Sequence, residues 1–218
     1  MGGTVDPKQI VKRGYDQLGD RYRQWAHERN PGEVRRWFLG EILARVPLDA
    51  DVLELGCGPG VDASVLSNGR RYIGVDLSER QLEIARARLP APTFRLGDFT
   101  LIELPPSSFD SVVSLYVLNH VPPEETGSLY RKVFGWLRPG GVLCASTSAG
   151  AARYQDVEKD WLGAVPMFFA GITLEEEDRL LRECGFEIEL SELKSEIEDG
   201  EGEVEFRWMI ARRPGGRP

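Results

Sequence analysis

Short apolar runs alternate with longer stretches of helical spacing along most of the chain. The runs are "DVLEL" (51–55), "RYIGVD" (71–76), "TFRLGD" (93–98), "FDSVVSL" (109–115) and "GGVLCAST" (140–147), largely β-branched or apolar. Between them lie "GVDASVLSN", "SERQLEIARARL" and "EETGSLYRKVFGWL". Leu82, Ala85 and Leu89, and then Leu129, Val133, Trp136 and Leu137, recur at the spacing of a helix stripe. Ser78 is placed to cap the second of these helices, and Pro139-Gly140-Gly141 to end the third. Strands buried on both faces and separated by helices predict a parallel sheet covered on both sides.

The two ends read differently. Residues 7–46 predict two helices, along "PKQIVKRGYDQLGDRYRQWA" and "GEVRRWFLGEILARV", with Asn30-Pro31-Gly32 as the break. After the fifth strand, residues 148–172 form a long, aromatic-rich connection, of the kind that is usually functional. "TLEEEDRLLRECGF" is a helix with Thr173 as N-cap and Gly185 as its stop. "EIELSELKS", the acidic turn "EIEDGEGE" and "VEFRWMIARR" predict a terminal hairpin, so the last strand runs antiparallel to its neighbour.

With 218 residues, the chain has the length of a single domain. Its segments are a helical cap (1–47), a core (48–147), the long connection (148–172), and a helix with the hairpin (173–218). A net charge of −8 argues against nucleic acid as the main partner, because neutralising phosphates takes clustered Lys and Arg. No apolar run is long enough to span a membrane, and the N-terminal residues lack a signal-peptide core. Cys57, Cys144 and Cys184 are widely spaced and odd in number, as expected of reduced thiols in a cytoplasmic protein. Two histidines, His27 and His120, with no CxxC or HExxH, give no basis for a metal site.

The candidate chemistry starts at "LELGCGPG". A dinucleotide fingerprint reads G-x-G-x-x-G after the first strand, whereas Gly56, Gly58 and Gly60 give G-x-G-x-G with Val61 at the third dinucleotide position. No G-K-[ST] follows, so this is not a P-loop. The pattern E-L-G-C-G-P-G resembles the first motif of the class I S-adenosylmethionine-dependent methyltransferases. "FDSVVSLYVLNHVPPEE", "LRPGGVLCAS", "LLRECGFEIE" and the terminal hairpin resemble later parts of that family. The resemblance implies an α/β, Rossmann-like, doubly wound seven-stranded sheet of order 3-2-1-4-5-7-6, its last strand antiparallel, with added N-terminal helices.

It also implies a cofactor, S-adenosylmethionine, and a set of residues to hold it. Bare glycine backbone at Gly56, Cys57 and Gly58 would lie against the ligand, with Glu54 orienting the turn. Asp76, about twenty residues on, would accept hydrogen bonds from the ribose hydroxyls, next to Leu77 and Ser78. Asp98 would take the adenine amino group, with Phe99 and Leu77 lining the base. Leu115 ends the fourth strand near the same edge. Tyr15 and Tyr22 resemble tyrosines that cover the methionine end, and their spacing puts them on one face of a helix. Each acid and each tyrosine also has an ordinary reading, as a turn residue or as core.

Methyl transfer needs a nucleophile held in line with the S–CH₃ bond, and water kept out. His120 is the candidate general base for a hydroxyl acceptor, or else a helix cap, and Tyr116 shares its stretch. Tyr154, Trp161, Met167, Phe168 and Phe169, together with His120, are the candidate acceptor contacts. Trp37 and Phe38 read as pocket wall or core. "SLYV" stands where base and glutamine N-methylating relatives carry an N-P-P-Y-like tetrad. The expected partner is therefore a small molecule methylated on O, N, S or C. Methylation of a protein side chain, cofactor binding without methyl transfer, and NAD-dependent oxidation remain as alternatives.

Overall fold

The computed structural model describes residues 6–28, 32–148, 152–198 and 202–215, with the side chains of 27, 28, 197, 198 and 202 left aside. Asn30 and Pro31 of the expected helix break, and Asp199–Glu201 of the acidic turn, lie outside the described residues. The helices are α1 Pro7–Leu18, α2 Asp20–Glu28, α3 Glu33–Arg45, α4 Ala63–Leu66, α5 Glu79–Arg88, α6 Pro123–Trp136 and α7 Leu174–Cys184. The strands are β1 Asp51–Leu55, β2 Arg71–Asp76, β3 Thr93–Leu96, β4 Phe109–Ser114, β5 Leu137–Ser148, β6 Tyr154–Trp161, β7 Val165–Gly171, β8 Glu187–Glu198 and β9 Gly202–Arg212.

Seven strands form one sheet of order β3-β2-β1-β4-β5-β9-β8. β1 to β5 pair in parallel, and β9 runs antiparallel to both β5 and β8. This is the expected order and reversal, with β6 and β7 standing apart. Alternate strand residues feed two cores, as the pleat requires. Val52, Val113, Cys144 and Ile210 pack with Phe38, Ile42 and Leu82 from α3 and α5. Leu53, Val112, Leu143 and Met209 pack with Leu129, Val133 and Leu181 from α6 and α7. The Ser78, Thr173 and Gly185 caps all form, and Gly185 takes φ 98°.

Three expectations change. The single N-terminal helix is two, because Gly19 at φ 48°, ψ −125° occupies backbone space that a side chain disfavours. The buried Gln81 carboxamide then fastens the corner, donating to the Tyr15 and Gly19 carbonyls at 2.9 and 3.2 Å. The connection after β5 is no irregular loop: β6 and β7 pair as an antiparallel hairpin. β7, through Val165, Met167 and Phe168, closes a third core with Val11 and Leu18 of α1. Finally, α6 runs straight into β5 at Leu137, before Pro139-Gly140-Gly141 is reached.

The end of the sheet is tied down by a buried ion pair. Arg207 on β9, 1% exposed, donates to Glu177 Oε2 at 3.0 Å, to Asp178, and to Ser191 Oγ at 3.0 Å. Tyr130 and Thr147 complete Glu177, at 2.5 and 3.0 Å. Removing one partner leaves a buried charge unanswered. Arg207→Ala is therefore expected to lower unfolding free energy by about 3–5 kcal/mol in urea denaturation, whereas a loss below about 1 kcal/mol would mean the pair is solvated in solution.

Candidate functional site

The C-terminal ends of β1 to β4 meet at one edge, where ligands of open α/β sheets bind. After Leu55 the chain turns back, and the Gly56 and Cys57 N–H groups both donate to the Val75 carbonyl, at 2.7 and 3.1 Å. Gly56 has φ 69°, and a Cβ on it would stand 2.4 Å from Val117 Cγ1, so the turn tolerates no side chain there. Asp76 continues the clasp: its Oδ2 accepts from Gly58 N–H and its Oδ1 from Ser78 N–H, both at 2.8 Å. Enclosure raises the Asp76 carboxyl to about 6, against the pull of those amides. Glu54, 3% exposed, accepts the Tyr72 hydroxyl. Burial first, and then the Asp62 charge, raise it to about 8, so it is largely protonated at neutral pH.

These groups line a cleft. All the expected cofactor residues reach it: Tyr15, Tyr22, Glu54, Gly56, Cys57, Gly58, Asp76, Leu77, Ser78, Asp98, Phe99 and Leu115. Sequence reasoning missed three others. Lys8 of α1 sets its ammonium 3.0 Å from Asp98 Oδ2, 2.6 Å from Thr100 Oγ1 and 2.5 Å from Glu125 Oε2. Burial works against that ammonium, but hydrogen bonds to Glu125 and Asp98 outweigh it and raise its pKa. Arg35 of α3 forks onto Asp62, with Nε 2.9 Å from Oδ1, and lies over the Tyr116 ring at 5.1 Å. A lysine in the first turn of α1 runs against the helix dipole, and that was the one local hint of a distant acidic partner. Nothing in the spacing of Arg35 and Asp62 announces their pairing.

A larger chamber, open to solvent, adjoins the cleft and shares Tyr15, Tyr22, Arg35, Tyr116 and His120 with it. His120 closes the 3₁₀ turn Leu118–His120 and is 8% exposed. Its Nδ1 lies 2.7 Å from the Phe168 carbonyl and its Nε2 2.9 Å from the Tyr15 hydroxyl. A carbonyl can only accept, so Nδ1 carries the proton and Nε2 accepts from Tyr15. Burial lowers the imidazole to about 4, and the Phe168 bond offsets part of this. Tyr15 and Tyr22 meet edge to face at 4.8 Å, across the Gly19 corner and not along one helix as expected. Tyr116 donates its hydroxyl to Glu196 Oε2 at 2.7 Å, and burial pushes its pKa up.

Of the expected acceptor contacts, Trp161, Phe169 and His120 line the chamber. Tyr154, Met167 and Phe168 do not. Met167 and Phe168 are both buried in the third core, and Phe168 serves the site through its carbonyl alone. Tyr154 begins β6 at the surface and donates to Ser148 Oγ at 3.1 Å. Phe38 is fully buried core, and Trp37 sits beneath Lys194, 4.2 Å from the ring centroid.

The depressed His120 pKa makes a stability statement. Between its ordinary value of 6.5 and about 4, the unfolded chain takes up a proton that the folded chain refuses, so stability falls as pH falls through that window. The contribution is about 3 kcal/mol. His120→Gln is expected to flatten that part of the pH dependence of the urea midpoint. An unchanged slope would place the imidazole in contact with solvent.

Residues 52–141 match the model of a methyltransferase domain. A probable S-adenosylmethionine-dependent methyltransferase of Mycolicibacterium smegmatis is 33% identical over 65% of this chain and 55% of its own length. Trans-aconitate 2-methyltransferase of Methylobacterium radiotolerans is 41% identical over 47% of this chain and 40% of its own. The chain thus spans about half the length of the curated relatives it matches. Among solved structures, 1,6-didemethyltoxoflavin-N1-methyltransferase of Burkholderia thailandensis, crystallised with S-adenosylhomocysteine, covers 98% of this chain and 93% of its own, with TM-score 0.71 and 18% identity. With the strand order, the glycine clasp and the acids at the strand ends, these matches support a class I S-adenosylmethionine-dependent methyltransferase, its methyltransferase domain matched over residues 52–141.

Proposed function

We propose that the chain transfers a methyl group from S-adenosylmethionine to a small-molecule acceptor. The observation that carries this reading is the junction of two cavities, the glycine cleft and the ring-lined chamber, at the Tyr15–His120 pair. The residues present fit the cofactor. The Gly56 position leaves no room for a side chain beside Val117, and Asp76 holds two amides while its carboxylate still has acceptor capacity for a ribose diol. Gly56, Cys57, Gly58 and Asp76 would hold the nucleoside, with Leu77, Phe99 and Asp98 around the base. Bound there, the cofactor supplies an electrophilic methyl on a sulfonium.

The chain's own part is positioning, drying and proton handling. Trp161, Phe169 and Tyr22 give the junction apolar walls. For a hydroxyl acceptor, the proton passes from the acceptor oxygen to Tyr15 Oη as the Tyr15 proton passes to His120 Nε2. The positive charge lost at the donor then appears on the imidazolium. A pKa near 4 keeps His120 neutral and ready before each turnover, so it holds the proton only transiently. Tyr116 serves as wall, because its hydroxyl is engaged with Glu196. Its three thiols are unpaired, which suits the reducing cytoplasm.

The test is incubation with methyl-labelled S-adenosylmethionine and a library of small acceptors. Label in a small organic product, with equimolar S-adenosylhomocysteine, is expected. Label in protein alone, or cofactor bound without turnover, would contradict the reading. With a hydroxyl acceptor in hand, Tyr15→Phe and His120→Ala should each cut kcat by roughly 10²-fold with cofactor affinity kept. Near-normal turnover in both would remove the relay.

A further inference from the structure

Lys8 of α1 stands at the end of the cleft formed by the turn after β3. It lines the cleft together with Leu77, Asp98, Phe99 and Thr100, and its side chain is only 15% exposed. The cleft crosses the edge of the sheet strand by strand. The turn after β3 therefore lies two strands from the glycine turn after β1, with Asp76 of β2 between them.

An ammonium has three N–H groups and no acceptor. Three oxygens stand around Lys8 Nζ, one for each: Glu125 Oε2 at 2.5 Å, Thr100 Oγ1 at 2.6 Å and Asp98 Oδ2 at 3.0 Å. Lys8 therefore has no donor left for a ligand. Asp98 is filled in the opposite sense. Its Oδ1 accepts the Thr100 N–H and the Thr100 hydroxyl, both at 2.8 Å, and its Oδ2 faces the ammonium. A carboxylate offers about four acceptor positions, so one stays for a donor on the ligand. The other lysine of the lining, Lys12, is held by Asp16 at 2.5 Å, and Asp16 also accepts the Ser78 hydroxyl at 2.6 Å. That chain belongs to the loop after β2, beside Asp76. Among the described residues, the β3 end of the cleft thus presents a carboxylate acceptor and no spare side-chain donor.

Resting on the methyl-transfer reading, we propose that Lys8 and Glu125 set the base specificity of the donor seat. Lys8 is a positioning residue. With Thr100 it holds Asp98 so that the remaining acceptor position meets the exocyclic amino group of a 6-aminopurine. Glu125, in the first turn of α6 and outside the cleft lining, takes the third N–H of Lys8 and so withholds it from a 6-oxopurine. An oxygen at that ring position would face carboxylate lone pairs with no donor to answer it. A site built to pair with a ligand donor discriminates strongly against an analogue that lacks it. Removing Glu125 frees a donor on Lys8 and weakens the rejection.

The test is calorimetric titration of the full chain with S-adenosylhomocysteine and with S-inosylhomocysteine, its 6-oxo counterpart, which needs neither acceptor nor turnover. The wild type is expected to prefer the adenine ligand by roughly tenfold or more. Lys8→Met should shrink that preference by weakening S-adenosylhomocysteine, and Glu125→Ala should shrink it by strengthening the inosine ligand. Glu125→Gln, whose carboxamide oxygen still accepts from Lys8, should keep the wild-type preference. A merely structural role would weaken both ligands in parallel and leave their ratio unmoved. Equal binding of the two ligands by the wild type, or an unchanged ratio in Glu125→Ala, would overturn the assignment while leaving the donor site standing. Failure of S-adenosylhomocysteine itself to bind the wild type would instead overturn the methyl-transfer reading, and the base specificity with it.

Discussion

The carbonyl of Val75 accepts two amides, from Gly56 and Cys57, and the rest of the site is measured from that clasp. It fastens the turn after β1 to the last residues of β2, so that Asp76 falls within reach of Gly58 N–H. The requirement is geometric: the backbone must pass under Val117 with no Cβ between them, and only glycine at φ 69° allows it. Once the turn is fixed, Glu54 lies beneath it against Tyr72 and Asp62 beyond it against Arg35. The parallel sheet brings β3 and β4 up beside it in register.

The second organising feature is a cluster of carboxyl groups, Glu54 and Asp62 buried, Asp76 and Asp98 half-buried. Glu54, Asp62, Asp76 and Asp98 gather in a cleft of low dielectric, and each is answered differently. Asp62 has Arg35 and Asp98 has Lys8. Asp76 has backbone amides, and Glu54 keeps its proton with the Tyr72 hydroxyl as partner. The adjoining chamber mixes rings with Glu33, Arg35, Ser195 and Glu196. At the Tyr15–His120 junction the neutral imidazole is held by one backbone carbonyl on one side and one phenol on the other.

The centre of the sheet was legible because β1, β4 and the second half of β5 are buried on both faces and α5 and α6 repeat apolar residues at helical spacing. The cofactor cleft was legible for a different reason. Gly56, Asp76 and Asp98 are read by their position after successive strands, and parallel topology brings such positions together. What escaped was long-range or masked by polarity. Gly19 looks like one more helical residue until its ψ is known. β6 is exposed nearly throughout, so "YQDVEKDW" carries no alternation to mark it as a strand. Lys8 and Arg35 act through acids far along the chain, and sequence spacing does not encode such pairs. Phe168 contributes its carbonyl, a group every residue possesses, and composition therefore gave no reason to separate it from Phe169.

The central claim is that the Val75 clasp and Asp76 form a seat for the nucleoside of S-adenosylmethionine. Calorimetric titration of S-adenosylmethionine into the wild-type chain and Asp76→Ala, near pH 7.5, tests it most directly. The account predicts saturable binding to the wild type and a loss of roughly 10- to 100-fold in the variant, with both chains folded. Equal affinities, or no binding to the wild-type chain, would contradict it.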